Sequence, residues 1–202
     1  MEKYIVTISR QFGSLGRTIA QNLALELGIN FYDRDIVEAT AMRMGLPVPE
    51  ISKEEERAGG FFAERKYPLG MGLNSLQEEI FQVQSNIIQD IAKRESCIIV
   101  GRCGDYVLRD MERVLNVYIY APQAVRIKNC TEILGMEEKE AQRMQREVDR
   151  ARESYRRKYC EGIKEIYDHR DIMIDSGKFK TAGTVRILSG IVRELFFDKQ
   201  ET

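Results

Sequence analysis

The feature that most constrains the fold opens the chain. Tyr4-Ile5-Val6-Thr7-Ile8-Ser9 is rich in β-branched residues and runs directly into Arg10-Gln11-Phe12-Gly13-Ser14-Leu15-Gly16-Arg17-Thr18. Leu15, Ile19, Leu23 and Leu27 then recur every four residues, one face of a helix over 14–27, and Gly28 stands where a helix stops. A strand near 4–9, a tight glycine turn and an amphipathic helix, in that order, make a cradle for phosphate. Backbone N–H groups of the turn converge, and the helix presents its positive end. Gly13 and Gly16 are expected to let the backbone approach an anion with no Cβ in the way. Arg17 adds a fixed positive charge, and Thr18 a hydroxyl where a phosphate loop places its magnesium ligand. The competing reading is an ordinary strand–turn–helix crossover with no ligand.

Strand and helix patterns alternate along the rest of the chain, which argues an α/β fold with a mostly parallel sheet. A short extended piece at 30–32 leads into Asp33, and a helix is expected from about 34 to 44, broken by Gly45, Pro47 and Pro49. Leu76, Ile80, Val83, Ile87 and Ile91 form one stripe of a helix over 76–93, with Ser75 and Glu78 spaced as a capping box. Cys97-Ile98-Ile99-Val100 reads as a buried central strand and Val114 to Tyr120 as another. Helices are expected at about 123–134 and, highly charged, at 136–159. A last strand at 171–174 precedes a helix over 181–198 that buries Val185, Leu188, Val192 and Leu195. The segment 58–75 is broken repeatedly by glycine yet carries Phe61, Phe62, Tyr67 and Met71. It either docks those side chains on the core or closes over a ligand.

In open parallel sheets, ligands bind beyond the carboxyl ends of the strands. This chain concentrates polar residues there: Ser9 to Thr18, then Asp33-Arg34-Asp35, then Gly101-Arg102 with Asp105, then Asp175-Ser176-Gly177-Lys178. Arg102 can hold a phosphate through two parallel N–H bonds, or pair with a local carboxylate such as Asp105. Asp33 can accept hydrogen bonds from a sugar or base, or cap a helix. Asp175 divides between a ligand and a turn, the turn being favoured. Arg143, Arg146, Arg150 and Arg157 share a helical face, with Arg152, Arg156 and Lys158 nearby. They form either a solvated face laced with weak ion pairs or a lid whose arginines neutralise a transferring phosphoryl group.

Charge is nearly balanced, with 31 basic and 32 acidic residues, so nothing draws the chain as a whole to nucleic acid polymers or anionic membranes. It has no apolar run long enough to span a bilayer. Its four cysteines, Cys97, Cys103, Cys130 and Cys160, are widely spaced, and His169 is the only histidine. That argues against zinc ligation and a disulfide framework, and for reduced thiols in a cytoplasmic protein. The strand pattern begins at once, with no leader pattern ahead of it. One domain over 1–202 is expected, with an acceptor-binding insertion at about 34–95 and an arginine-rich lid at about 136–160.

With these residues placed, the chain resembles the cytidylate-kinase-like family of P-loop nucleoside monophosphate kinases over most of its length. The resemblance rests on Ile8-Ser9-Arg10-Gln11-Phe12-Gly13-Ser14-Leu15-Gly16-Arg17, Phe31-Tyr32-Asp33-Arg34, Val100-Gly101-Arg102-Cys103 and Asp149-Arg150-Ala151-Arg152-Glu153-Ser154-Tyr155. It implies a three-layer P-loop NTPase fold with a five-stranded parallel sheet. By the same resemblance Ser9, Arg10, Gln11, Phe12, Gly13, Ser14, Leu15, Gly16, Arg17 and Thr18 would cradle the donor phosphates. Asp33 and Arg102 would face the acceptor nucleotide. Arg146, Arg150 and Arg152 would come from the lid and act with Arg17 in catalysis. ATP would be the donor, with Mg2+ bridging its phosphates and touching Thr18. Against the usual G-x-x-x-x-G-K-[ST], Gln11 stands at the first glycine and Arg17 at the lysine, and arginine is a bulky fork where lysine is a point charge. The strand ending at Val100 carries no acidic residue for the metal. The expected activity is ATP-dependent phosphoryl transfer to a nucleoside monophosphate, with CMP or dCMP first. The alternatives are a kinase of another small metabolite and a non-catalytic nucleotide sensor.

Overall fold

Alternation along the first strand sets the architecture. In β1 (Ile5–Arg10), Val6 and Ile8 enter one apolar cluster and Ile5 enters another, because successive side chains of a strand leave on opposite faces. The computed structural model describes residues 2–57, 73–162 and 165–197. In chain order β1 is followed by α1 (Gly16–Leu27), β2 (Asn30–Tyr32), α2 (Arg34–Met44), α3 (Val48–Arg57), α4 (Leu73–Arg94), β3 (Cys97–Val100) and α5 (Gly104–Val107). Then come β4 (Val114–Tyr120), α6 (Gln123–Glu132), α7 (Glu138–Tyr159), β5 (Ile172–Asp175) and α8 (Ser176–Phe196). The strands form one five-stranded sheet in the order β2-β3-β1-β4-β5, every neighbouring pair parallel.

Helices cover both faces. On one, Ile19, Ala20, Leu23 and Ala24 of α1 and Val185, Leu188 and Val192 of α8 pack against Val6, Ile8, Ile98, Val100, Leu115, Val117 and Ile119. On the other, Ile36 of α2, Ile87, Ile88, Ile91 and Ala92 of α4 and Val107 of α5 pack against Ile5, Cys97 and Ile99. Burying side chains of this size stabilises the fold by about 1.5–3 kcal/mol each, which makes three layers the stable arrangement for strands apolar on both faces. All four cysteines are buried thiols. Among the described residues no helix is long and apolar enough to cross a membrane.

Three expectations about elements need correction. Residues 48–57 are helical, and Pro49 sits in the first turn of α3, where a missing N–H costs no intrahelical bond. Ile51 of that helix is fully buried beside Val37, Ala41 and Ile80. Ser75 does not cap α4, which already starts at Leu73. α8 begins at Ser176 rather than near 181, because the Asp175 carboxylate accepts hydrogen bonds from the N–H groups of Gly177 and Lys178. The helix breaks locally at Lys180, with φ 58° and ψ 171°, and Leu195 near its end is exposed. The aromatic stretch expected to dock or close lies at 58–75; only 73–75 fall among the described residues, as the first turn of α4.

β1 lies between β3 and β4, and its connection runs to one side, towards β2, while that of β3 runs to the other, towards β4. The chain therefore parts at the carboxyl ends of β1 and β3, where an α/β sheet opens a crevice for ligands.

Candidate active site

Backbone donors come first. The loop after β1 uses some of its N–H groups internally: Gln11 donates to Ile119 O at 3.0 Å, and Ser14 to Gln11 O at 3.4 Å. The Phe12 N–H donates to Asp149 Oδ1 at 2.7 Å. The N–H groups of Gly13, Leu15, Arg17 and Thr18 have no acceptor among the described residues. Leu15, at the N-cap of α1, takes the left-handed conformation (φ 58°) and supplies no side-chain cap. A helix start left open in this way is an anion site in waiting.

Side-chain charge gathers at the same place. Asp33, almost fully buried after β2, does not cap α2. Its carboxylate faces three guanidinium groups instead: Arg17 Nε at 3.1 Å, Arg102 Nη1 at 3.4 Å and Arg10 Nη2 at 3.6 Å. Gly101, Arg102 and Cys103 all have positive φ, 77°, 50° and 53°, and this left-handed turn accompanies the approach of Arg102 to Asp33. Arg152 of α7 donates to Arg10 O at 3.1 Å and lies 4.0 Å from Asp149. Asp149 also pairs with Arg126 of α6 at 2.6 Å. Asp33 and Asp149 thus draw together five guanidinium groups, from Arg10, Arg17, Arg102, Arg126 and Arg152. The crowding registers on Arg10, whose pKa falls to about 9, chiefly through burial and next through the charge of Arg152. Burial likewise lowers the pKa of Arg152, with Asp149 opposing it. A cluster of guanidinium groups beside open backbone N–H groups favours an anion.

The two glycines of the loop also make room for protein atoms. A Cβ at Gly16 would lie 2.6 Å from Arg10 Cβ, so this glycine makes room for the arginine. A Cβ at Gly13 would lie 2.7 Å from Arg126 O and 2.9 Å from Cys130 Sγ, so that one admits α6.

The arginine-rich helix divides by face. The row Arg143, Arg146, Arg150 and Arg157 is exposed; Arg143 pairs with Glu147 and Arg157 with Glu153, each four residues away. Arg146 and Arg150 have no ion pair among the described residues. The row turned inward is Ala141, Gln145, Asp149, Arg152, Arg156 and Tyr159. Arg156 pairs with the buried Asp105, and through a second nitrogen donates to Asp168 O at 2.7 Å. Arg102 therefore pairs with Asp33, and Asp105 with Arg156. Asp175 caps its helix. Ser9 is half-buried at the end of β1, and Thr18 is exposed in the first turn of α1.

Sequence reasoning passed over Arg126 and Asn129 and gave Ser176 only a place at a polar strand end, yet the three grip the loop from outside. Arg126 Nη1 donates to Phe12 O at 3.1 Å, Asn129 Nδ2 to Gly13 O at 2.8 Å and Ser176 Oγ to Ser14 O at 2.8 Å. The only signal was their position: two lie three residues apart in the first helix after β4, and one directly follows β5. Among the described residues no group of three His, Cys, Asp or Glu could hold a metal ion.

The sequence matches the cytidylate kinase-like family over residues 5–178. No curated protein matches it. An uncharacterized protein from Eubacterium ventriosum is 24% identical, with 94% of this chain and 98% of that one covered and a TM-score of 0.70. A shikimate kinase from Bacteroides thetaiotaomicron is 13% identical over 94% and 98% of the two chains, with a TM-score of 0.56. A gluconokinase from Sinorhizobium meliloti is 14% identical over 98% of each, with a TM-score of 0.54. At these identities the likeness is one of fold.

Proposed function

This chain belongs to the cytidylate kinase-like family, and from that premise we propose that it transfers the γ-phosphoryl group of ATP to a small acceptor, a nucleoside monophosphate, with CMP or dCMP first. The observation that carries the reading is the coincidence of the open N-terminus of α1 with the guanidinium groups of Arg10, Arg17 and Arg102 gathered at Asp33. Phosphoryl transfer asks a protein chiefly for positioning and charge stabilisation, and both are supplied here without a nucleophilic side chain. Within residues 9–18, the backbone N–H groups of Gly13, Leu15, Arg17 and Thr18 hold the donor phosphates. Arg17 and Arg152 neutralise charge that spreads over the transferring group. Asp33 and Arg102 lie on the acceptor side, where the carboxylate can accept a hydrogen bond from the acceptor and the guanidinium can pair with its anionic group. The packing of α7 supports a role for Arg152. Arg146 and Arg150 lie on the outer face and act only if α7 turns or a segment folds over it.

The donor set suits a magnesium ion carried in on nucleotide and not one caged by protein. Asp33 is already matched by arginines. Thr18 is the side chain the ion would touch, and the ion would screen the phosphates from one another. The test is ADP release with ATP–magnesium across CMP, dCMP, UMP, AMP and GMP, with shikimate and gluconate added because relatives in fold bear those names. Turnover on a nucleoside monophosphate is the expected result, and none on any of the five sinks this reading. Turnover on a sugar acid alone moves the chain to a metabolite kinase.

A second reading has its own observation. Arg17, in the place of the P-loop lysine, is tied to Asp33 at 3.1 Å rather than directed only at the donor. A nucleotide sensor without catalysis would tolerate this. Replacing the residue separates the two: Arg17→Lys lowers turnover in an enzyme adapted to arginine. A gain of turnover from an inactive parent favours the sensor.

A further inference from the structure

We propose that Arg126, Asn129 and Ser176 are positioning residues for the donor phosphates, acting from outside the loop by fixing three peptide planes. The inference rests on the phosphate-binding reading above and deepens it. A peptide unit is planar and trans, so its C=O and the following N–H point in opposite directions. Whatever holds the carbonyl therefore aims the amide. Arg126 Nη1 binds Phe12 O, which turns the Gly13 N–H away from α6 and into the loop. Asn129 Nδ2 binds Gly13 O and turns the Ser14 N–H inward, where it also reaches Gln11 O. Ser176 Oγ binds Ser14 O and turns the Leu15 N–H in the same way. The three donors come from two helices at successive carbonyls, so three consecutive amides, those of residues 13, 14 and 15, are set by side chains that need not touch a ligand.

The clamp is braced at each end. Asp149 of α7 holds Arg126 through one carboxylate oxygen, at 2.6 Å, and the Phe12 N–H through the other, at 2.7 Å. Ser176 is buried, and its oxygen also lies 3.1 Å from Tyr120 O, which anchors it to the end of β4. Gly13 is what allows the approach: its φ is +76°, and any Cβ there would meet the backbone of α6. A loop with neither the usual first glycine nor the usual lysine thus draws its order from neighbours. Preorganised N–H groups stabilise charge without reorganisation when the charge arrives.

The test is calorimetric titration of the full chain with inorganic tripolyphosphate and with ATP–magnesium, comparing the parent with Asn129→Asp, Ser176→Ala and Ser176→Thr. Asn129→Asp keeps the shape and loses the donor. Ser176→Thr keeps the hydroxyl that Ser176→Ala removes. Tripolyphosphate affinity is expected to fall roughly 3- to 10-fold in Asn129→Asp and in Ser176→Ala, the worth of one net hydrogen bond, and to return in Ser176→Thr. The KM for ATP rises with it, while the KM for the acceptor stays. Backbone amide resonances of Gly13, Ser14 and Leu15 shift in the two weakened variants before any ligand is added. A parent that binds no polyphosphate overturns the functional reading, and this inference with it. A parent that binds, with variants that bind as well as it does and unshifted amides, overturns the clamp alone.

Discussion

Both faces of α7 carry arginines, and their surroundings are opposite. The outer face carries Arg143, Arg146, Arg150 and Arg157, exposed and paired, where paired at all, with glutamates of the same helix. The inner face carries Asp149, Arg152 and Arg156, tied to the Phe12 amide, to the Arg10 carbonyl and to the buried Asp105. An arginine on the first face is screened by water and replaceable. One on the second is desolvated, and its partners are left stranded if it goes. The number of arginines on a helix therefore says little about its role; the atoms that each guanidinium satisfies say much more.

Removing the innermost pair tests this contrast hardest. Arg156→Ala leaves Asp105 buried without its cation, and should cost about 3–5 kcal/mol of stability by urea denaturation. A loss under 1 kcal/mol would mean that the inner face is no better sequestered than the outer. Arg152→Ala comes next. In phosphoryl transfer it should lower kcat/KM about 100-fold, the scale of a lost transition-state donor, and should weaken the thermal stabilisation that tripolyphosphate confers on the parent. If Arg152→Ala leaves both unchanged, α7 is a wall of the fold and no part of the site. The smallest effect belongs outside. Arg143→Ala removes one i,i+4 pair and should change stability by less than about 0.5 kcal/mol, with turnover unaltered. An outer substitution that matched Arg152→Ala in turnover would show that the outer row reaches the reacting phosphate after all.

Much of this was open to reading along the chain. The strand, glycine turn and helix at 4–27 are local features, governed by β-branching, by a four-residue apolar repeat and by Gly28 as a stop, so they were legible without a partner. The same holds for β4, read at 114–120 and found there. Helix α3 was not legible, because two prolines mask a start that they in fact permit, and because Ile51 earns its burial only against α2 and α4. At the site, Asp33 and Arg102 stood out as polar residues at strand ends, but each had two readings that spacing could not separate. Contact removes one of them: Asp33 gathers three arginines and leaves α2 uncapped.

What the sequence determined alone was therefore whatever depends on neighbours within a turn or two: the order of the strands and of the longer helices, the loop at 10–16, the polar strand ends and the family those motifs mark. What only the tertiary structure decided was direction. A helix of 22 residues can present any face, and α7 presents the row that holds Asp149 and Arg152 because Ala141, Gln145 and Tyr159 bury on the same side. The loop amides turn inward because side chains more than 100 residues away bind the carbonyls behind them. Hydrogen bonds and ion pairs are interactions across space, and no local pattern records which distant group will arrive to make them.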